Sequence, residues 1–108
     1  MISVEGHKMI RQGEEIGRIE SKHIYDKEGR EIGYFENDEV YNQNGEKLGY
    51  LQGDYLHLEE EGKIEIDKLR TEITGAGLSD LARAAVWILL GEWSFVSLWT
   101  FVIGVEVV

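Results

Sequence analysis

Hydrophobic and polar residues recur with a period of sixteen over the first 73 residues of the chain. An aliphatic residue followed by glycine, and an aliphatic residue followed by tyrosine or histidine, each return at this spacing. The positions are Ile16-Gly17, Ile32-Gly33 and Leu48-Gly49, with Ile24-Tyr25, Val40-Tyr41 and Leu56-His57. Sixteen residues are too few for the helix pairs of common solenoids, but they can hold two short strands and two turns. The pattern therefore predicts a mainly β fold of about four tandem β-hairpins.

Turn residues stand where this interpretation needs them. Two-residue loops are predicted at 6–7, 21–22, 37–38 and 53–54, and Asn37-Asp38 and Gly53-Asp54 suit the positive φ angles of tight hairpin turns. Between hairpins, residues 26–29 and 42–45 predict four-residue turns whose final glycine is left-handed. A degraded fifth unit starts after Gly62.

The predicted loops fix the register of each hairpin. Counting outward from 37–38 pairs Phe35 with Val40, and the equivalent apolar pairs are Val4/Met9, Ile19/Ile24 and Leu51/Leu56. Because neighbouring residues in a strand point to opposite faces, these pairs share one face and predict a common core. Gly17, Gly33 and Gly49 lie on the same face, where bare backbone would let neighbouring strands approach closely.

Tyrosines collect on the opposite face. The candidate surface consists of Tyr25, Tyr34, Tyr41 and Tyr50, with Tyr55 close by. One interpretation is structural, with the rings packing against neighbouring hairpins or the C-terminal helix. The other is an interaction surface for a peptide, a glycan or a partner subunit, since tyrosine combines apolar area with a hydrogen-bonding tip.

The composition changes at residue 74, from strongly charged to strongly apolar. Ser79 is a suitable N-cap with Asp80 in the first turn, and apolar residues at helical spacing predict a helix from about 79 to 90. Residues 93–103 are rich in aromatic and β-branched types and read as a strand. The sequence thus divides into a β-hairpin repeat domain (1–73), a Gly-rich hinge (74–77) and an apolar C-terminal segment (78–108).

Two interpretations of the apolar segment stay open. In the first it is buried between copies of the chain in a homo-oligomer, since a soluble monomer would expose a large apolar patch. The assembly residues would be Trp87, Leu89, Trp93, Phe95, Trp99 and Phe101. In the second, residues 84–105 span a membrane, for which the length suffices. Glu92 would then lie within the bilayer, and the tryptophans are spread through the span instead of grouped at its ends.

Charge and residue types narrow the classes of function. The net charge of −10 over 108 residues argues against binding of nucleic acid. Without cysteine there is no disulfide, thiolate zinc site or cysteine catalysis. The three histidines show no metal-binding spacing. The sequence predicts no catalytic, cofactor-binding or metal-binding residue, so we expect a protein that is not an enzyme. Its first residues lack a signal-peptide pattern, so the expected location is cytoplasmic, or membrane-associated with a cytoplasmic head.

The repeat also resembles a known family. The run from Ile24-Tyr25 through Ile32-Gly33-Tyr34-Phe35 to Leu48-Gly49-Tyr50 is similar to the bacterial four-fold beta flower proteins, over about residues 13–60. The resemblance implies a hairpin-repeat fold and supplies no catalytic residues. The expected function is a non-enzymatic interaction or scaffold module that self-assembles through its apolar C-terminal segment; the alternative is a membrane-anchored module with an acidic cytoplasmic head.

Overall fold

The computed structural model of the chain describes residues 1–60 and 62–91, and this part is mainly β. Its ten strands form one sheet in the order β10-β1-β2-β3-β4-β5-β6-β7-β8-β9. The strands are β1 (Ile2–Glu5), β2 (Lys8–Arg11), β3 (Glu14–Glu20), β4 (His23–Asp26), β5 (Glu31–Glu36), β6 (Glu39–Asn42), β7 (Lys47–Gln52), β8 (Tyr55–Leu58), β9 (Lys63–Glu65) and β10 (Ile73–Thr74). Two helices, α1 (Ile66–Glu72) and α2 (Asp80–Leu90), complete it.

The four predicted hairpins are confirmed with their register. Phe35 pairs with Val40 and Tyr34 with Tyr41, and the equivalent pairs form in the other three hairpins. All four loops lie where predicted, and in the third both Asn37 and Asp38 have positive φ angles. The degraded fifth unit is the single strand β9, which pairs with β8. The sixteen-residue period therefore translates into one hairpin per repeat.

The second and third turns between hairpins, at 26–29 and 42–45, each begin with a polar side chain that bonds to the turn backbone. Asp26 and Asn42 accept hydrogen bonds from the backbone N–H groups two and four residues later, at 2.9 and 3.0 Å. Gly29 and Gly45 close these turns with φ angles of 85° and 83°, a region that favours glycine. Each turn thus uses an Asx side chain to start and a left-handed glycine to finish.

Helix α2 lies at the centre of the hairpins. It begins where predicted, with the Ser79 hydroxyl accepting a hydrogen bond from the N–H of Ala82 at 3.1 Å. No residue of 81–91 is exposed, and the helix contacts α1 and strands β4–β7 and β10. Apart from Arg83, all residues from 81 to 91 are apolar or glycine and none is exposed, as is typical of a core helix. The hairpins therefore curve around α2, and their apolar faces and the helix form one hydrophobic core.

The predicted role of the strand glycines is confirmed and extended. A Cβ on Gly17 or Gly33 would overlap a carbonyl oxygen of the neighbouring strand, so these strands do approach over bare backbone. The same ideal Cβ atoms would also meet α2: 2.9 Å from Leu90 Cδ1 at Gly17, 2.6 Å from Leu89 Cδ1 at Gly33 and 3.1 Å from Ile88 Cδ1 at Gly49. Consecutive helical residues point about 100° apart. Three hairpins thus surround the last turn of α2, each presenting a glycine to it.

Two elements go beyond the sequence predictions. Helix α1 follows β9 directly, and β10 then pairs in parallel with β1, placing Ile73 beside Ile2. Arg70 on α1 donates hydrogen bonds to Asp80 at the start of α2, at 2.8 and 3.1 Å. The predicted hinge at 74–77 begins with Thr74, the last residue of β10, and leads towards α2; the proposed domain division stays a prediction. The strand predicted at 93–103 lies outside the described residues.

Candidate interaction surface

The outward face of the sheet carries side chains in rows that run across the strands. The cross-strand partners Glu20, His23, Tyr34, Tyr41 and Lys47 form one such row over β3–β7. The rings of Tyr34 and Tyr41 stack with centroids 4.9 Å apart and planes at 18°, and His23 lies 6.1 Å from Tyr34. Three of the row's five side chains are therefore rings, and each ring contacts the next one along the row.

A second row repeats this arrangement sixteen residues later. It consists of Glu36, Glu39, Tyr50, His57 and Lys63 over β5–β9. Tyr50 and His57 stack with centroids 4.9 Å apart and planes at 9°. We call the two rows together the outer ladder. Its ring pairs occupy equivalent positions in consecutive hairpins, which is why they recur with the period of the sequence.

Tyr55 joins the outer ladder from its edge. Its ring meets His57 edge-on at 6.4 Å, and the Lys63 ammonium lies 4.2 Å from its centroid. The Lys47 ammonium lies 5.2 Å from the centroid of Tyr50, so both lysines contact ring faces. Four of the five predicted tyrosines are thus brought together. Tyr25 lies opposite Arg18 in the preceding row, outside both ring pairs.

Glu39 organises the charges of the surface. Its carboxylate accepts a hydrogen bond from the Tyr41 hydroxyl. It also forms an ion pair with Lys47, in which Nζ lies 3.4 Å from Oε2. The hydrogen bond to Glu39 raises the pKa of Tyr41 to about 12, and the same bond, with Lys47, lowers the pKa of Glu39. Glu39 and Glu59 raise the pKa of Lys47. The hydrogen bond and the ion pairs thus hold the side chains of Tyr41, Glu39 and Lys47 together on this surface.

The geometry bears on both interpretations of the tyrosines. Ring faces are covered by other rings or by lysine chains, and cross-strand pairs of this kind stabilise a sheet by about 0.2–1 kcal/mol each. The five tyrosines are nevertheless only half-buried, so part of each side chain is accessible to a partner. The interaction surface at Tyr25, Tyr34, Tyr41, Tyr50 and Tyr55 stays a prediction.

Sequence reasoning named only the tyrosines as candidate interaction residues, although the repeat places His57 on the same face. His57 follows Tyr25 and Tyr41 at intervals of sixteen, and this equivalence is the signal that marks it as a ring of the same surface. Lys47 and Lys63 are also sixteen apart. Their contacts with rings come from strand order, because they lie on the strands next to those rings.

Two of the predicted assembly residues lie on α2, inside the fold. Leu89 is half-buried with its methyl groups against Gly33, and Trp87 packs against the core cluster. Both therefore contribute to the core of their own chain. Trp93, Phe95, Trp99 and Phe101 lie outside the described residues, and their part in assembly stays a prediction.

A cleft of about 510 Å³ opens between the fourth hairpin and α1, where the sequence predicted no site. Arg70 lies in it, paired with Asp67 at 2.8 Å as well as with Asp80. The other lining residues are Gly53, Asp54, Tyr55, Glu65 and Ile66. The lining is polar and mainly acidic.

In residues 1–60 and 62–91, no group of three or more potential metal ligands comes together. Neither helix in that part of the chain is long and apolar enough to cross a membrane.

The comparisons with known proteins bear on the hairpin repeat. No curated protein and no solved structure matches the chain. The sequence model of the family described as 4-fold beta flower protein matches residues 11–66. This match runs from the end of β2 to the first residue of α1, and it covers just over half of the chain. It contains the second, third and fourth hairpins with Gly17, Gly33 and Gly49, the positions that carry the resemblance in the sequence. The chain belongs to the 4-fold beta flower family.

Proposed function

We propose that this beta-flower module is a non-enzymatic interaction or scaffold module that self-assembles through its apolar C-terminal segment. The observation that carries the proposal is the enclosure of α2. Ala84, Ala85 and Val86 are completely buried, and the helix and the hairpins share one core cluster. The described residues up to Gly91, which we call the head, therefore share one core, and the sequence continues beyond Gly91 with mostly apolar residues.

The contacts at the end of α2 support this proposal. The N–H of Gly91 bonds to the carbonyl of Trp87 at 3.1 Å, and Arg11 donates to the carbonyl of Leu90 at 3.2 Å. Both hydrogen bonds satisfy carbonyl groups in the last turn of α2. The last carbonyls of a helix lack partners within the helix and need them from elsewhere. Residues 93–103 are mostly apolar, and Met1 is the only large hydrophobic residue exposed among those described. A second copy, with an identical segment and closed symmetry, is the simplest cover in water.

The packing of α2 weighs against the membrane-anchored alternative. Ala84, Ala85, Val86 and Ile88 are buried in the core shared with the hairpins. A membrane span over 84–105 would have to take residues 84–90 out of this core.

The test compares the full chain with residues 1–91. We expect light scattering in detergent-free buffer to give a discrete multimer for the full chain and a monomer for residues 1–91. Circular dichroism and urea unfolding of the shorter chain should show a folded head of undiminished stability. A matched pair of variants tests which residues hold the multimer together. Trp99→Glu should dissociate the multimer, whereas Thr100→Glu, at the neighbouring polar position, should leave it intact.

Three outcomes would contradict the proposal. A monodisperse full-length monomer in detergent-free buffer would mean that the C-terminal segment folds onto its own head. Recovery of the full chain only in detergent, with resistance to alkaline extraction from membranes, would establish the alternative. An unfolded 1–91 chain would show that the head needs the segment for its core.

A further inference from the structure

No further inference is drawn: the strongest candidate, the cleft between the fourth hairpin and α1, is a cluster of carboxylates around an arginine already paired with Asp67 and Asp80, and nothing in the described part of the chain points to a ligand for it.

Discussion

The packing of α2 on the strand glycines predicts whether Gly33→Ala raises or lowers the free energy of unfolding. The φ angle of Gly33 is not positive, so alanine there would ordinarily stabilise the protein by about 0.4–1 kcal/mol, by restricting the unfolded chain. Here the new Cβ would overlap the carbonyl oxygen of Tyr41 and would lie 2.6 Å from Leu89 Cδ1. Carbon atoms in contact prefer about 3.5–4.0 Å, so the Leu89 side chain must move by about 1 Å, and the Tyr41 carbonyl can be avoided only by a shift of the backbone.

Overpacking of this kind costs about 1–3 kcal/mol, which exceeds the entropic gain. We expect Gly33→Ala to lower the free energy of unfolding by about 1–2 kcal/mol in urea, followed by circular dichroism. Gly49→Ala is the matched control. Its Cβ would lie 3.1 Å from Ile88 Cδ1 and 2.7 Å from the carbonyl oxygen of His57, so its loss should be smaller.

A double-mutant cycle separates the helix contact from the strand contact. Leu89→Ala removes the methyl groups over Gly33, so the double variant should lose less than the sum of the two single losses. The Tyr41 carbonyl still opposes the new Cβ, which is why relief should be partial. A Gly33→Ala protein as stable as the wild type, or more so, would refute the close packing of α2 on this strand.

Three further predictions concern the core, the cap and the helix–helix contact. Phe35→Ala should cost about 3–5 kcal/mol and Glu36→Ala less than about 0.5, and equal losses in urea would overturn the assignment of faces. Ser79→Ala should cost about 0.5–2 kcal/mol, with Ser79→Thr nearly neutral; an unchanged unfolding midpoint for the alanine variant would contradict the cap. Arg70 lowers the pKa of Asp80, so this carboxylate contributes stability above its ordinary pKa of 3.8 and loses it as the pH falls through its folded value. The stability lost in Arg70→Gln should therefore shrink in acid, and a loss independent of pH would exclude the ion pair as its cause.

The hairpins could be predicted because their determinants are local. A turn, its flanking strands and their cross-strand pairs lie within one sixteen-residue unit, so Phe35 and Val40 could be paired by counting. The start of α2 was equally local, since Ser79 caps it with its own side chain. Ser21 has a left-handed φ of 54° although serine is not a typical residue for it, because the strands on either side fix the loop.

The remaining elements depend on contacts between distant residues. Helix α1 has only seven residues and no side-chain cap, so no local signal marks its start in the sequence. Strand β10 is defined by its pairing with β1 at the other end of the sequence. The enclosure of α2 is likewise a property of the curved sheet, and no residue of the helix indicates by itself that three strand glycines will meet it.

The sequence predicts which tyrosines lie on the candidate surface, but it does not predict how their rings contact one another. Alternation along the strands placed Tyr34, Tyr41 and Tyr50 on the outer face, where they are found. Their stacking, and the contact of Lys63 with Tyr55, depend on strand order and on rotamers. A one-residue irregularity between Val40 and Tyr41 sets the stagger from one row to the next, and the repeat alone does not specify it.

The position of the core helix in the chain also sets the order in which the molecule matures during synthesis. Strands β1–β9 leave the ribosome first, and each hairpin can pair as soon as its second strand has emerged. An isolated hairpin is only marginally stable in water, and the apolar strand faces stay uncovered until residues 80–90 follow. A nascent chain interrupted before α2 therefore exposes the apolar faces of its strands. Such a chain is prone to aggregation and to chaperone binding. Once the eleven residues of α2 have been synthesised, the helix can cover these apolar faces.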